Sequence, residues 1–120
     1  MGKNLEISIL FDFYGDMLTD KQRDVVELYY DDDLSLSEIA ENEGITRQGV
    51  RDSIKRAEMQ LLEMEERLGL ARRFREMREK IAMIRQCAVT IQELNDRFGY
   101  SREIDEHARR IQEMAGQLSE

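Results

Sequence analysis

Apolar residues recur at helical spacing along nearly the whole of this chain. The first periodic segment, Leu5 to Met17, puts Ile9, Leu10, Phe13, Tyr14 and Met17 on one predicted face, with Gly15 loosening its end. Thr19 is placed to cap a second helix, Asp20 to Asp31, with Val25, Val26, Leu28, Tyr29 and Tyr30 as a broad apolar face. Asp31-Asp32-Asp33 ends it, because short acidic side chains compete for the backbone and favour a turn. Ser35 and Glu38 then have the spacing of a capping box, Ile39 and Ala40 face inward, and Gly44 stops the helix. Ile45 plugs the turn and Thr46 caps a further helix, whose inward stripe of Val50, Ile54, Ala57, Leu61, Met64 and Leu68 keeps 4-3-4-3-4 spacing up to Gly69. From Leu70 the stripe continues in heptads through Phe74, Met77, Ile81, Ile84, Ala88, Ile91 and Phe98. Asn95 falls where one more apolar residue is due; it is either a register-setting position or the point where the helix frays. Gly99-Tyr100 breaks the pattern, Ser101 caps again, and Ile104, Ala108, Ile111, Ala115 and Leu118 mark a last helix.

The predicted fold is therefore all-α with about six helices. A helix-turn-helix spans residues 35–57 of an N-terminal module, 1–69, and long amphipathic helices occupy 70–120, the whole forming one structural unit. A chain of 120 residues with 41% hydrophobic and 37% charged residues and no proline suits that class. No apolar run approaches the ~20 residues of a membrane span, the N-terminus lacks a signal peptide's apolar region, and one cysteine excludes an internal disulfide, so a cytoplasmic protein is expected.

Net charge is −8, but its distribution matters more. Asp12 to Glu43 carries eleven acidic residues against Lys21 and Arg23, whereas Thr46 to Arg56 carries four basic residues against Asp52. A short basic face beside an acidic flank can touch nucleic acid locally and repels phosphates beyond it. On the long helix, Arg75 with Glu79 and Glu76 with Lys80 are spaced for ion pairs. Arg56 serves either the groove or a pair with Glu27 or Glu38.

No catalytic, metal or cofactor signature stands out. His107 lies among charged residues on the last helix, without Cys or His companions, and Cys87 reads as a buried small hydrophobe on the apolar edge of its helix. The Asp31-Asp32-Asp33 run lacks the alternating oxygen ligands and glycine of a calcium loop. Met59, Met64 and Met77 could serve an adaptable partner surface.

The run from Leu18 through Leu61 resembles region 4 of bacterial sigma factors. With the preceding LFDFYGDMLTDKQ, and with ELYYDDDLSLSEIAE and ITRQGV, it resembles the YlxM family of small helix-turn-helix proteins over about Ile9 to Met83. The first resemblance implies base-reading positions at Arg47, Gln48, Arg51 and Asp52, with Thr46, Lys55 and Ser37 on phosphates. Gly49 departs from the sigma pattern and implies one contact fewer, and no sigma region 2 is present. The second implies a regulator with a role in the signal recognition particle pathway. Two functions follow: a DNA-binding regulator reading the major groove, or an interaction protein on the signal recognition particle protein or its RNA. Self-association is expected through Phe74, Met77, Ile81, Ile84, Ala88 and Ile91, giving a homodimer; an intramolecular hairpin is the alternative use of that stripe.

Overall fold

The computed structural model describes residues 4–119. Among them the chain is all-α, with helices α1 (Leu5–Tyr14), α2 (Asp20–Val26), α3 (Leu36–Glu43), α4 (Arg47–Leu68), α5 (Leu70–Arg97) and α6 (Arg102–Leu118). A 3₁₀ turn (Gly15–Met17) follows α1 and a π-helical turn (Glu27–Asp31) follows α2. The chain divides into two compact units, Met1–Ala71 and Arg72–Glu120.

In the first unit each helix start is chemically marked. The Asn4 side chain accepts from the Glu6 N–H at 2.9 Å. Thr19 with Gln22, and Ser35 with Glu38, form reciprocal capping boxes at α2 and α3. Gly44 ends α3 at φ 69° and Gly69 ends α4 at φ 63°, a left-handed conformation that costs glycine least. One core cluster joins Ile7, Leu10, Phe11 and Tyr14 of α1, with Leu18 and Val26, to Ala57 and Leu61 of α4. A second joins Val25 and Ile39 to Val50 and Ile54, with Ala40 and Ile45 packed on it.

α1 differs from the sequence expectation in rotation about its axis. Ile7, Leu10, Phe11 and Tyr14 are its buried residues, whereas Ile9 is 46% and Met17 63% exposed. Both sets have helical spacing, because α1 carries apolar residues on more than one side despite Glu6, Ser8 and Asp12; periodicity alone does not choose between them. Gly15 is also more than a loosened end. It is buried, and a Cβ there would lie 2.9 Å from the Phe11 ring. The predicted helix from Asp20 to Asp31 keeps its extent but not its geometry: the Asp32 N–H reaches back five residues to the Glu27 carbonyl at 3.1 Å. Within this wide turn Tyr30 donates to Glu58 of α4, and burial together with that carboxylate raises the phenol's pKa.

Tyr14 closes the unit. Its ring is 1% exposed, its hydroxyl donates to Glu65 Oε1 at 2.6 Å, and it accepts from the Leu70 N–H at 3.0 Å. Glu65 Oε1 also accepts from the Ala71 N–H at 3.1 Å. Two orphan amides at the start of α5 are thereby satisfied from α1 and α4. Desolvation, then the Glu65 hydrogen bond, pushes the Tyr14 pKa up.

In the second unit, Ile81, Ala88 and Asn95 are the buried residues of α5, seven apart. α5 runs on to Arg97, so Asn95 marks no fraying. Its side chain clamps the turn: Nδ2 donates to the Ser101 carbonyl at 2.8 Å and Oδ1 accepts from the Ser101 N–H at 2.9 Å. Gln92 links α5 to α6, donating to Asp105 at 2.8 Å and accepting from Gln112 at 2.9 Å. Asp105 also accepts from Arg109 at 3.0 Å. The Gln92 hydrogen bond, aided by Arg109, holds the Asp105 carboxyl below its ordinary range despite burial. Ala108 and Ala115 are buried on α6, while Ile104 and Leu118 are exposed. Cys87 is exposed, against expectation: it precedes the buried Ala88, and one residue is about 100° around a helix.

Tyr14→Phe keeps the ring and removes the hydroxyl, leaving the Leu70 N–H without its acceptor. It should cost about 1–3 kcal/mol, read as a lower midpoint in thermal unfolding by circular dichroism. A parent-like midpoint would show that this network contributes nothing to stability.

Candidate nucleic-acid interface

The first turns of α4 carry the candidate surface because the stripe Val50, Ile54, Ala57, Leu61 is held inward, which leaves Arg47, Gln48, Arg51, Asp52 and Lys55 to solvent. Thr46, Arg47, Gln48, Arg51, Asp52 and Lys55 are all exposed, as is Ser37 at the second position of α3. Every site residue expected from the sequence is therefore exposed, on α3, at the α4 cap or along the first turns of α4. Arg47, Arg51 and Lys55 follow one another at four-residue intervals and form no ion pair among the described residues. Gln48 and Asp52 engage each other instead, the Gln48 amide donating to Asp52 Oδ1 at 3.0 Å.

Thr46 has two capacities. Its Oγ1 accepts from the Gly49 N–H at 2.9 Å, capping α4, and its own proton remains for an outside acceptor. Gly49 is partly exposed and lines a surface groove with Asp52 and Ser53. A Cβ there would lie 3.1 Å from Thr46 Oγ1 and 3.8 Å from the Ile45 side chain, so a larger residue would crowd the cap.

Arg56 is exposed and forms no ion pair among the described residues, so the pair expected with Glu27 or Glu38 does not form. It lines a groove between α4 and the start of α2, together with Lys21, Gln22, Asp52 and Ser53. Sequence reasoning missed Lys21. The capping box that starts α2 at Asp20 puts Lys21 in that helix's first turn, the only signal that pointed to it.

Residues 1–99 match the family described as "Putative helix-turn-helix protein, YlxM / p13 like". The chain belongs to that family. The YlxM-like protein is 52% identical over 83 residues to a UPF0122 protein of Caldanaerobacter subterraneus subsp. tengcongensis, covering 69% of this chain and 71% of the relative. It is 44% identical over 110 residues to a UPF0122 protein of Thermoanaerobacter pseudethanolicus, covering 92% and 94%. A UPF0122 protein of Bacillus cereus is 45% identical over 94 residues, covering 78% and 86%. The family description agrees with the α3–Gly44–α4 geometry: this YlxM-like chain is a helix-turn-helix protein. No described helix is long and apolar enough to cross a membrane.

Thr46→Val preserves shape and removes the cap acceptor. It should cost roughly 0.5–2 kcal/mol in chemical denaturation of the full chain. An unchanged midpoint would show that the cap is replaceable by solvent.

Proposed function

We propose that this YlxM-like protein is a cytoplasmic DNA-binding regulator that inserts the start of α4 into the major groove as a homodimer. The observation that carries the reading is the exposed, ion-pair-free row Arg47, Arg51 and Lys55 rising from a capped helix start. The positive end of the α4 dipole and the Thr46 proton suit a phosphate at its N-terminus, with Ser37 and Lys55 as further phosphate contacts. Arg47 and Arg51 suit guanine edges, Gln48 adenine and Asp52 the cytosine amine. Even with Arg47, Arg51 and Lys55 each neutralising a phosphate, the log–log salt slope would be only about −3 per subunit, so a second subunit is needed for useful affinity.

Self-association is assigned to α5. Met77, Ile84 and Ile91 are exposed there, as is Phe74, whereas Ile81 and Ala88 are already buried inside the chain and do not contribute. Ile84→Glu places a charge in that stripe. Sedimentation equilibrium at micromolar concentration should show a parent dimer and a folded monomeric variant; a monomeric parent would end the dimer reading.

The acidic flank from Asp12 to Glu43 favours a second reading, contact with the signal recognition particle protein or its RNA, because that flank repels a long duplex. The triple variant Arg47→Ala, Arg51→Ala, Lys55→Ala separates the two. It should fold as the parent does and lose duplex binding in fluorescence anisotropy. Parent binding to the reconstituted particle alone, unaffected by the triple change, would overturn the DNA reading.

A further inference from the structure

The family match ends at residue 99, so the helix-turn-helix reading leaves α6 without a role. Within the second unit α5 and α6 lie antiparallel, joined through Gln92 to Asp105 and Gln112 and through Asn95 to Ser101. Both helices follow one seven-residue scheme. On α5 the inward positions are Ile81, Ala88 and Asn95. Ile84, Ile91 and Phe98 come three residues after them, and Cys87 and Leu94 six after. On α6 the inward positions are Ser101, Ala108 and Ala115, followed in the same way by Ile104, Ile111 and Leu118, and by His107 and Met114. Two antiparallel helices are related by a two-fold through the pair, so equal offsets from their facing stripes fall on the same side. The polar sides agree, since Arg85 of α5 lines one groove with Arg109, Gln112 and Glu113 of α6. The hairpin is therefore a two-helix layer with one apolar face. A hairpin that packed only on itself would put its largest apolar residues between its helices. Here Ala88, Ala108 and Ala115 take much of that place, while Ile84, Ile91, Leu94, Ile104, Met114 and Leu118 remain between 45% and 67% exposed.

We propose that a second copy of this chain covers this face, two α5–α6 hairpins forming a four-helix bundle to which α6 contributes as much as α5. It rests on the reading that this protein self-associates through α5, and it adds α6 to the contact. Two seam positions per heptad from every helix are what the core of such a bundle needs. The occupant follows from charge and area. A two-fold contact sets a surface against itself, so any net charge on it would meet its like. The seam positions on the two helices carry no Asp, Glu, Lys or Arg, in a chain that is 37% charged. At on the order of 80 Å² for each of these side chains, the face offers roughly 800 Å² per copy, the amount that one partner of a standard-size interface buries. Apolar patches of that size are rare on a monomer. Within the seam Cys87 acts as a small apolar residue and His107 is the one strongly polar side chain.

The test uses the full-length protein and sedimentation equilibrium, with circular dichroism to check helix content. Ile104→Glu/Met114→Glu charges the α6 seam, Ile84→Glu the α5 seam, and Arg85→Glu changes charge on the polar side of the hairpin. The first two should give folded monomers and the third a parent-like dimer. Cys87, the one cysteine, reports on the seam directly: iodoacetamide should alkylate it faster in both monomeric variants than in the dimeric parent. His107→Leu removes the polar side chain from the seam and should tighten the dimer about tenfold, a gain that damage to the fold does not produce. If the glutamate variants lose helix content, His107→Leu decides, a tighter dimer supporting the α6 contact and an unchanged one overturning it. A dimer that Ile84→Glu breaks and Ile104→Glu/Met114→Glu leaves intact overturns the four-helix bundle and leaves self-association through α5 in place. A monomeric parent overturns both.

Discussion

The first unit depends on one requirement, that the inner stripe of α4 be kept from water along three turns. Val50 and Ile54 meet one core cluster, and Ala57 and Leu61 meet the other. α1, α2 and α3 supply the remaining walls of these two clusters, so α4 is the element they share. Each fully buried aliphatic side chain contributes on the order of 1.5–3 kcal/mol. The same constraint sets the candidate surface. Once Val50 and Ile54 are inward, Arg47, Gln48, Arg51 and Lys55 have no direction left but solvent. Stability and presentation are thus two sides of one helix.

Gln48 and Asp52 support each other on the surface of α4, their mutual hydrogen bond holding both side chains in a defined arrangement. It uses one of the two N–H donors of the Gln48 amide and leaves the other, with the carbonyl oxygen, for a further partner. On the proposed DNA reading, Gln48 can therefore meet a base edge while Asp52 holds it in place, and the acidic residues upstream would disfavour any register that slides phosphates toward them.

What was legible in the sequence was local. The Thr19 cap, the Ser35–Glu38 capping box, Gly44, Gly69 and the 4-3-4 stripe of α4 each depend on residues within one or two turns, and the structure has them where the spacing put them. The exposed site residues followed from that stripe. Features that needed a distant partner were not legible. The rotation of α1 is decided by α4, against which Tyr14 finds Glu65, and a helix with apolar residues on more than one side hides that choice. Asn95 looked like a coiled-coil position, but its partner is the backbone of Ser101, six residues on, across the turn it clamps. Cys87 was misplaced by one residue's rotation. For Arg56 the charge pattern left the groove and an acidic partner both open, and an exposed guanidinium gains little from such a pair in water.

The π turn at Glu27–Asp31 has a consequence for length variation. A π turn is an α-helix that has accepted one extra residue, so the backbone can take a single-residue deletion there by reverting to α geometry. Because the wide turn absorbs the extra residue, side chains on either side of such a deletion would keep nearly their present directions, whereas one residue removed from α4 would swing every later side chain about 100° around the axis. The corner that leads from Tyr30 to Ser35 and α3 is therefore where a chain one residue shorter can keep the same core. The insertion is a point at which homologous sequences can be aligned by backbone geometry when their side chains no longer suffice.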